Sequence, residues 1–405
     1  MSSGTCRIWL AKGRESSVRR FHPWVFSGAV HRIEGSPAEG DVVEVVSSEG
    51  AFLGYGHYQK GSIAVRILDF YGHSGICGDR RMPQEFWDGR IASALNLRRS
   101  LGLPSQATDS YRLVHGEGDS LPGLVIDYYA GVAVVQAHSA GMFLSLDRIT
   151  ESLKHCYGNE LKAVYDKSSA TAPHKAGLSL CDRYLYGNPD DNPHIIRENG
   201  NLFEVDWESG QKTGFFIDQR DNRALVAACA PGRTLLNLFC YTGGFSVYAL
   251  AAGAAAVVSV DSSQKAADMT ERNIALNFPG GVPHEAVCAD AIDYLKNVEF
   301  GKYDMMIVDP PAFAKHRDAL DNALRAYRRL NASALSKVAR GGIVFTFSCS
   351  QVVDRQMFYT AVFSAAVQSG RNVRLLGRLG QPADHPVNIY HPEGEYLKGL
   401  ALYVE

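Results

Sequence analysis

"RTLLNLFCYTGGFSVYALAAGAAAVVSVD", from Arg233 to Asp261, decides the fold. "RTLLNLF" is an apolar run that stops at "CYTGG", where a glycine pair punctuates the chain. "FSVYALAAGA" then reads as a helix, and "AVVSVD" as a second short apolar run closed by an acid. Strand, glycine turn, helix and strand in that order make a crossover unit, which implies parallel strands.

The same pattern continues downstream. Helical "SSQKAADMTERNIALN" follows, and "HEAVCAD", "YDMMIVDPP" and "GGIVFTFSCS" each present a short apolar run ending in small, acidic or polar residues. The expectation is an α/β, mostly parallel sheet, whose ligands bind beyond the carboxyl ends of the strands. Gly243, Asp261, Asp290, Asp309 and Cys349 all fall at such ends.

Upstream of about Asn199 the pattern differs. Residues 1 to about 70 alternate apolar and polar positions around glycine turns, as in "GDVVEVVSSEGAFLGYGHYQ" and "GSIAVRIL", and predict a small β-barrel. From about 75 to 190, helical "MPQEFWDGRIASALNLRRSLGL" and "MFLSLDRITESLKHCYG" mix with a hairpin in "GLVIDYYAGVAVVQAHS". "YGNPDDNPH", Tyr186 to His194, has the Pro, Asn and Asp content of a linker.

A chain of 405 residues exceeds one ordinary core, so two or three domains are expected. Apolar residues make up 46% and charged ones 21%, as in a globular protein. No apolar run is long enough for a bilayer, and the first twenty residues lack an export-type apolar core, so a cytoplasmic protein is expected. The eight cysteines form no CxxC pair, so no metal site or disulfide framework is expected. Net charge of −2 gives no global attraction to nucleic acid, but Lys12, Arg14, Arg19 and Arg20 make a local basic run around Glu15. That run is read equally as a phosphate contact or a solvated face.

The glycine turn narrows the cofactor. Asp261 lies where an acid can accept from ribose hydroxyls. "CYTGGFSVYA" is not G-x-G-x-x-G, however, so no pyrophosphate cradle is present, which weakens an oxidoreductase. An adenosine cofactor without phosphate, S-adenosylmethionine, fits better. One acid alone would be read as a helix cap. Three on successive strands of one sheet are not.

"NLFCYTGGFSVYALAAGA", "VVSVD", "VDPPAFAK" and "FTFSCS" resemble the class I methyltransferases that modify ribosomal RNA. Upstream, "SGQKTGFFIDQRDNR" resembles the segment before the first core strand in these enzymes. "YRLVHGEGDSLPGLVID" and "ADHPVNIYHPEGEYLKGLAL" resemble a narrower family, the large-subunit ribosomal RNA cytosine-C5 methyltransferases of the RlmI type, and "RRFHPWVFSGAV" is similar to the opening of its PUA-type domain. The resemblance spans nearly the whole chain. It implies a PUA-like RNA-binding barrel over residues 1–72, a central α+β domain over 73–190 and a Rossmann-like methyltransferase domain over 191–405. It also implies large-subunit ribosomal RNA as partner, naked or in an early assembly intermediate, with no membrane; the oligomeric state stays open, a homodimer included.

The resemblance assigns Phe239, Tyr241, Gly243, Gly244, Asp261, Ser262, Asp290, Asp309, Asp218 and Arg220 to S-adenosylmethionine, and Cys349 with Asp309 to catalysis. Lys212 and Thr213 are expected to fold over cofactor or target. Arg19, Arg20, Lys212, Phe313 and Lys315 are expected at RNA. The chain departs from the family at Ala312, where a lysine is usual, and at Cys240, where the turn usually has serine.

The chemistry explains why a cysteine is needed. C5 of cytosine is a weak nucleophile, and a thiolate adding at C6 turns the ring into an enamine that can attack a methyl sulfonium. Against this stands packing, since cysteine is among the most buried residues. A position at a strand end opposite "DPP" favours Cys349 as nucleophile, whereas Cys240, inside the cofactor turn, is read as packing. The rival functions are a guanine N7 or N2 methyltransferase, which needs no nucleophile, and an RNA-binding protein with an inactive methyltransferase domain.

Overall fold

The computed structural model describes residues 5–76, 80–174, 177–189, 193–314 and 316–405. The chain divides into two compact units. One holds Met1–His194, Val205–Phe215 and Ala383–Gly394; the other holds Ile195–Glu204, Phe216–Pro382 and Glu395–Glu405.

Two sheets build the first unit. The six-stranded one takes its strands from residues 7–69, with Arg7–Leu10 pairing Val42–Val46 in parallel and Val30–Glu34 in antiparallel fashion. Alternation along Val42–Val46 sends side chains to two faces, and both are covered. Val43 and Val45 join Ile8, Leu10, Val65 and Ile67, while Val42 joins Leu68 and Trp87. The five-stranded sheet includes the expected hairpin, Leu124–Tyr129 against Val132–Ala137. Helices Gln84–Ser100 and Leu146–Tyr157 bury Trp87, Ile91, Ile149 and Leu153 in the core that this sheet shares.

The second unit carries the crossover pattern. Its seven-stranded sheet is built from β1 (Thr234–Leu238), β2 (Ala256–Asp261), β3 (His284–Cys288), β4 (Met305–Val308), β5 (Gly342–Ser348), β6 (Val373–Leu379) and β7 (Lys398–Val404). They lie in the order 3-2-1-4-5-7-6, parallel from β3 to β5, with β7 antiparallel between β5 and β6. Order reverses between β1 and β4, and at such a switch point the strand ends open a crevice. Every residue of β5 is buried, as a central strand covered on both faces requires.

The helices are α1 (Arg220–Cys229), α2 (Gly244–Ala251), α3 (Gln264–Asn277), α4 (Ala291–Lys296), α5 (Leu320–Lys337) and α6 (Arg355–Ser369). Leu330, Leu335, Phe358 and Val362 from α5 and α6 pack with Met306, Val308 and Val344 of the sheet. Gly243 starts α2 at φ +75°, and a Cβ there would lie 2.6 Å from Thr270 Cγ2, so the turn demands glycine twice over. Among the described residues no helix is long and apolar enough to cross a membrane.

Candidate active site

The turn after β1 is held in an uncommon backbone shape. Phe239 and Tyr241 have φ of +60° and +48°, a region non-glycine residues enter at a cost and keep where the surroundings enforce it. Asp261, at the end of β2, supplies the enforcement. Its Oδ2 accepts the Tyr241 N–H at 3.0 Å and its Oδ1 accepts the Ser263 N–H at 3.0 Å. The Thr270 hydroxyl donates to the Tyr241 carbonyl at 3.0 Å, and the Phe216 ring meets the Tyr241 ring at 4.9 Å.

Ser262 is exposed, and its carbonyl faces the Cys288 thiol at 3.6 Å. Asp290 is exposed and caps α4, its Oδ1 accepting the Ile292 and Asp293 N–H groups at 2.9 Å. Each carboxylate keeps lone pairs beyond those bonds. Acceptors with spare capacity around a shaped backbone turn, without a diphosphate cradle, suit an adenosine-bearing cofactor such as S-adenosylmethionine.

The segment before α1 reaches the next strand ends. Gln219 is buried and donates through Nε2 to Asp309 Oδ2 at 2.9 Å, while Asn222 donates to Gln219 Oε1 at 2.6 Å. Asp218 accepts from the Tyr396 hydroxyl at 2.6 Å. Arg220 is buried at the start of α1. Arg223 anchors the segment, donating to the Phe216 carbonyl at 3.0 Å and, with Nε and Nη2, to both oxygens of buried Glu198 at 2.8 Å.

Asp309 and Cys349 follow β4 and β5, which pair in parallel up to Val308 opposite Thr346. Both residues are half-buried. The serines beside Cys349 are structural: the Ser348 hydroxyl donates to Tyr327 Oη at 2.9 Å and the Ser350 hydroxyl to the Ala314 carbonyl at 2.6 Å. Burial pushes Tyr327 up to about 12, so it stays a neutral phenol. Cys240 is buried beside the Thr270 hydroxyl, and burial pushes its thiol up to about 12, the state of a packing cysteine.

The residues expected at RNA divide. Phe313 lies against the core with its ring 4.8 Å from that of Tyr327. Lys315 lies outside the described residues. Arg19 and Arg20 are exposed at the end of the short helix Ser16–Arg19 in the first unit. Lys212 is exposed and Thr213 buried, and both belong to the first unit, where the Thr213 hydroxyl donates to Asp127 at 2.6 Å. That bond commits Thr213 to a structural contact.

Sequence reasoning did not single out Gln219, Asn222, Tyr396 or Lys398. The polar cluster "QRDN" and the charged "EYLKG" inside otherwise apolar surroundings were the available signals. It also did not anticipate that His22, His391 and Glu393 bring possible metal ligands within 4.8 Å of one another in the first unit.

Known proteins resemble this chain in family and domain make-up. Residues 111–387 match the model of an S-adenosylmethionine-dependent methyltransferase family, and residues 8–70 that of a PUA-like domain. The chain is 39% identical over 399 residues to ribosomal RNA large subunit methyltransferase I of Aeromonas hydrophila, covering 98% of each protein. It is 40% identical over 406 residues to the protein of that name from Shewanella amazonensis, covering 98% of this chain and 99% of the relative. A candidate S-adenosylmethionine-dependent methyltransferase from Streptococcus mutans superposes with a TM-score of 0.82 at 22% identity, over 98% of this chain and all of the other, which extends the likeness in fold to the full length.

Proposed function

Because this chain belongs to the ribosomal RNA large subunit methyltransferase I family of S-adenosylmethionine-dependent enzymes, we propose that it methylates C5 of a cytosine in large-subunit ribosomal RNA, with Cys349 as nucleophile. The observation that carries this reading is the placement of a half-buried Cys349 and a half-buried Asp309 at neighbouring strand ends. Cys240, the thiol in the turn after β1, is buried and held protonated.

Each residue then has a task. The Cys349 sulfur forms a bond to C6, and the C5–C6 double-bond electrons shift into the ring to make an enamine. N3 takes up a proton as the thiolate adds and gives it up again as the thiolate leaves, and Asp309, oriented by the Gln219 amide on Oδ2, would stabilise that proton and the N4 amino group. S-adenosylmethionine, when bound, supplies the electrophilic methyl group that the activated C5 accepts. Loss of the C5 proton to a base restores the double bond and expels the thiolate. Phe239, Tyr241, Gly243, Gly244, Asp261, Ser262 and Asp290 would hold the cofactor, with Asp218 and Arg220 closing the same mouth. The PUA-like domain, with Arg19 and Arg20 exposed, would add RNA affinity, and Lys212, Phe313 and Lys315 would meet the target.

The test is incubation with unmodified large-subunit RNA and labelled methyl donor, followed by nucleoside analysis. Label should appear as 5-methylcytidine, disappear with Cys349→Ser and persist with Cys240→Ser. Label in methylguanine would overturn the proposal and return Cys349 to packing.

A further inference from the structure

A cation that interacts with this cysteine comes from far along the chain. Lys398 opens β7, directly opposite Ser348 in the antiparallel pairing with β5. Its side chain is buried, and its Nζ donates to the Ser350 carbonyl at 2.5 Å and the Tyr396 carbonyl at 2.6 Å. An ammonium fixed opposite residue 348 and bonded to residue 350 lies against the turn whose middle residue is Cys349. The neighbouring glycine makes this approach possible. A Cβ on Gly399 would lie 2.5 Å from the Phe347 ring.

A buried lysine is costly unless its charge is used. Among the described residues no carboxylate is ion-paired with Lys398; its hydrogen-bond acceptors are two neutral carbonyls. The groups around it have opposing effects. Burial pushes it down to about 8 and Arg355 pushes the same way, while Cys349, Glu395 and Asp354 favour the charged form. Arg355 is itself ion-paired with Glu395. Near the cysteine, Tyr327 is a neutral phenol, and Asp309 on the adjoining strand end brings a carboxyl group whose negative charge would oppose a thiolate.

We propose that Lys398 is the positioning residue of the cysteine site: its ammonium holds Cys349 as the thiolate in the resting protein. The inference rests on the nucleophile assigned above. In ionising, the thiol gives its proton to solvent through its exposed side, and Lys398 keeps all three of its own. On attack, the sulfur lone pair forms the bond to C6 and the negative charge passes to the ring.

The advantage can be bounded. Below the thiol pKa, each unit of depression gives about ten times more thiolate, while the lower basicity reduces intrinsic nucleophilicity about threefold. The net gain is about threefold per unit at neutral pH, and it vanishes in alkali. A lysine that merely held the turn would leave no such pH signature.

The experiment is iodoacetamide labelling of the full-length protein from pH 5 to 10, with the rate at each cysteine read by peptide mass spectrometry. Cys181 and Cys288, both exposed, serve as internal standards. In the wild type, the Cys349 midpoint should lie below those of the standards. In Lys398→Met it should rise by about one to three units, the range for losing a nearby opposite charge, with the standards unmoved. Lys398→Arg should keep most of the depression. Lys398→Gln, which retains a donor for the carbonyls, should behave like the Met variant and replaces it if that one does not fold. A wild-type midpoint at or above the standards would overturn the proposal without any variant, and so would an unmoved midpoint in either neutral variant. Trapping on RNA that carries 5-fluorocytosine separates the two claims. An adduct on Cys349 with an unmoved midpoint would leave the cytosine reading standing and remove Lys398, whereas a moved midpoint without an adduct would do the reverse.

Discussion

Arg223→Met removes one half of a buried ion pair that also fixes the catalytic segment. The Arg223 side chain is 3% exposed and that of Glu198 0%, and two parallel bonds of 2.8 Å join them. Methionine keeps much of the packed stem but leaves the Glu198 carboxylate with the Tyr248 hydroxyl, at 2.9 Å, as its remaining side-chain donor. Removing one partner of a buried pair costs about 3–5 kcal/mol. The Phe216 carbonyl, which loses its 3.0 Å donor, adds about 1 kcal/mol. Offset by the retained packing, the expected loss is about 4 kcal/mol, or a fall of roughly 8–16 °C in Tm for a unit of this size. Urea unfolding at pH 7 measures it. Arg223→Met combined with Glu198→Leu should recover most of the loss, because no charge then remains buried. Methyl transfer should fall more than global stability explains, since Phe216 leads directly into Asp218 and Gln219. A single variant within about 1 kcal/mol of wild type, or a double variant no better than the single, would refute the reasoning.

Asp261→Asn should weaken S-adenosylmethionine binding by about 1–3 kcal/mol, because its carboxylate shapes the Tyr241 turn and, in the proposed site, would accept from the ligand; calorimetry with unchanged affinity would remove it from the site. The first unit should lose stability in acid. His57 is buried, neither ring nitrogen has a hydrogen-bond partner among the described residues, and burial pushes it down to about 3. Its folded pKa lies below the unfolded value, so the stabilisation is present above about pH 6.5 and is lost toward pH 3, at up to about 1.4 kcal/mol per unit. His57→Leu should flatten urea midpoints measured across that window, with His138, pushed to about 4, keeping part of the slope. Arg19→Ala with Arg20→Ala should lower RNA affinity and reduce the salt slope by about 1.4, at about 0.7 per phosphate contact on single strands; an unaltered slope would place both arginines off the RNA.

Much of the second unit was legible because its strands are short apolar runs with their chemistry at the ends. Asp261, Asp309 and Cys349 come from local patterns that repeat four or five times, and the structure places all three at strand ends of one sheet. What local pattern could not convey is long-range placement. Lys398 faces Cys349 only because β7 inserts antiparallel between β5 and β6, a pairing set by the whole sheet. Thr213 stands near Asp218 in sequence yet belongs to the first unit, bonded to Asp127. Asp290 resembles a ligand in sequence, and its geometry includes the helix cap that any such acid can form.

The central claim is that Cys349 bonds covalently to a cytosine. RNA bearing 5-fluorocytosine at the target, incubated with the protein and methyl donor, tests it most directly, because fluorine cannot leave C5 as a proton does. The predicted result is a stable protein–RNA adduct that requires the methyl donor, maps to the peptide containing Cys349 and is absent in Cys349→Ser. An adduct on another cysteine, or turnover in Cys349→Ser equal to wild type, would contradict it.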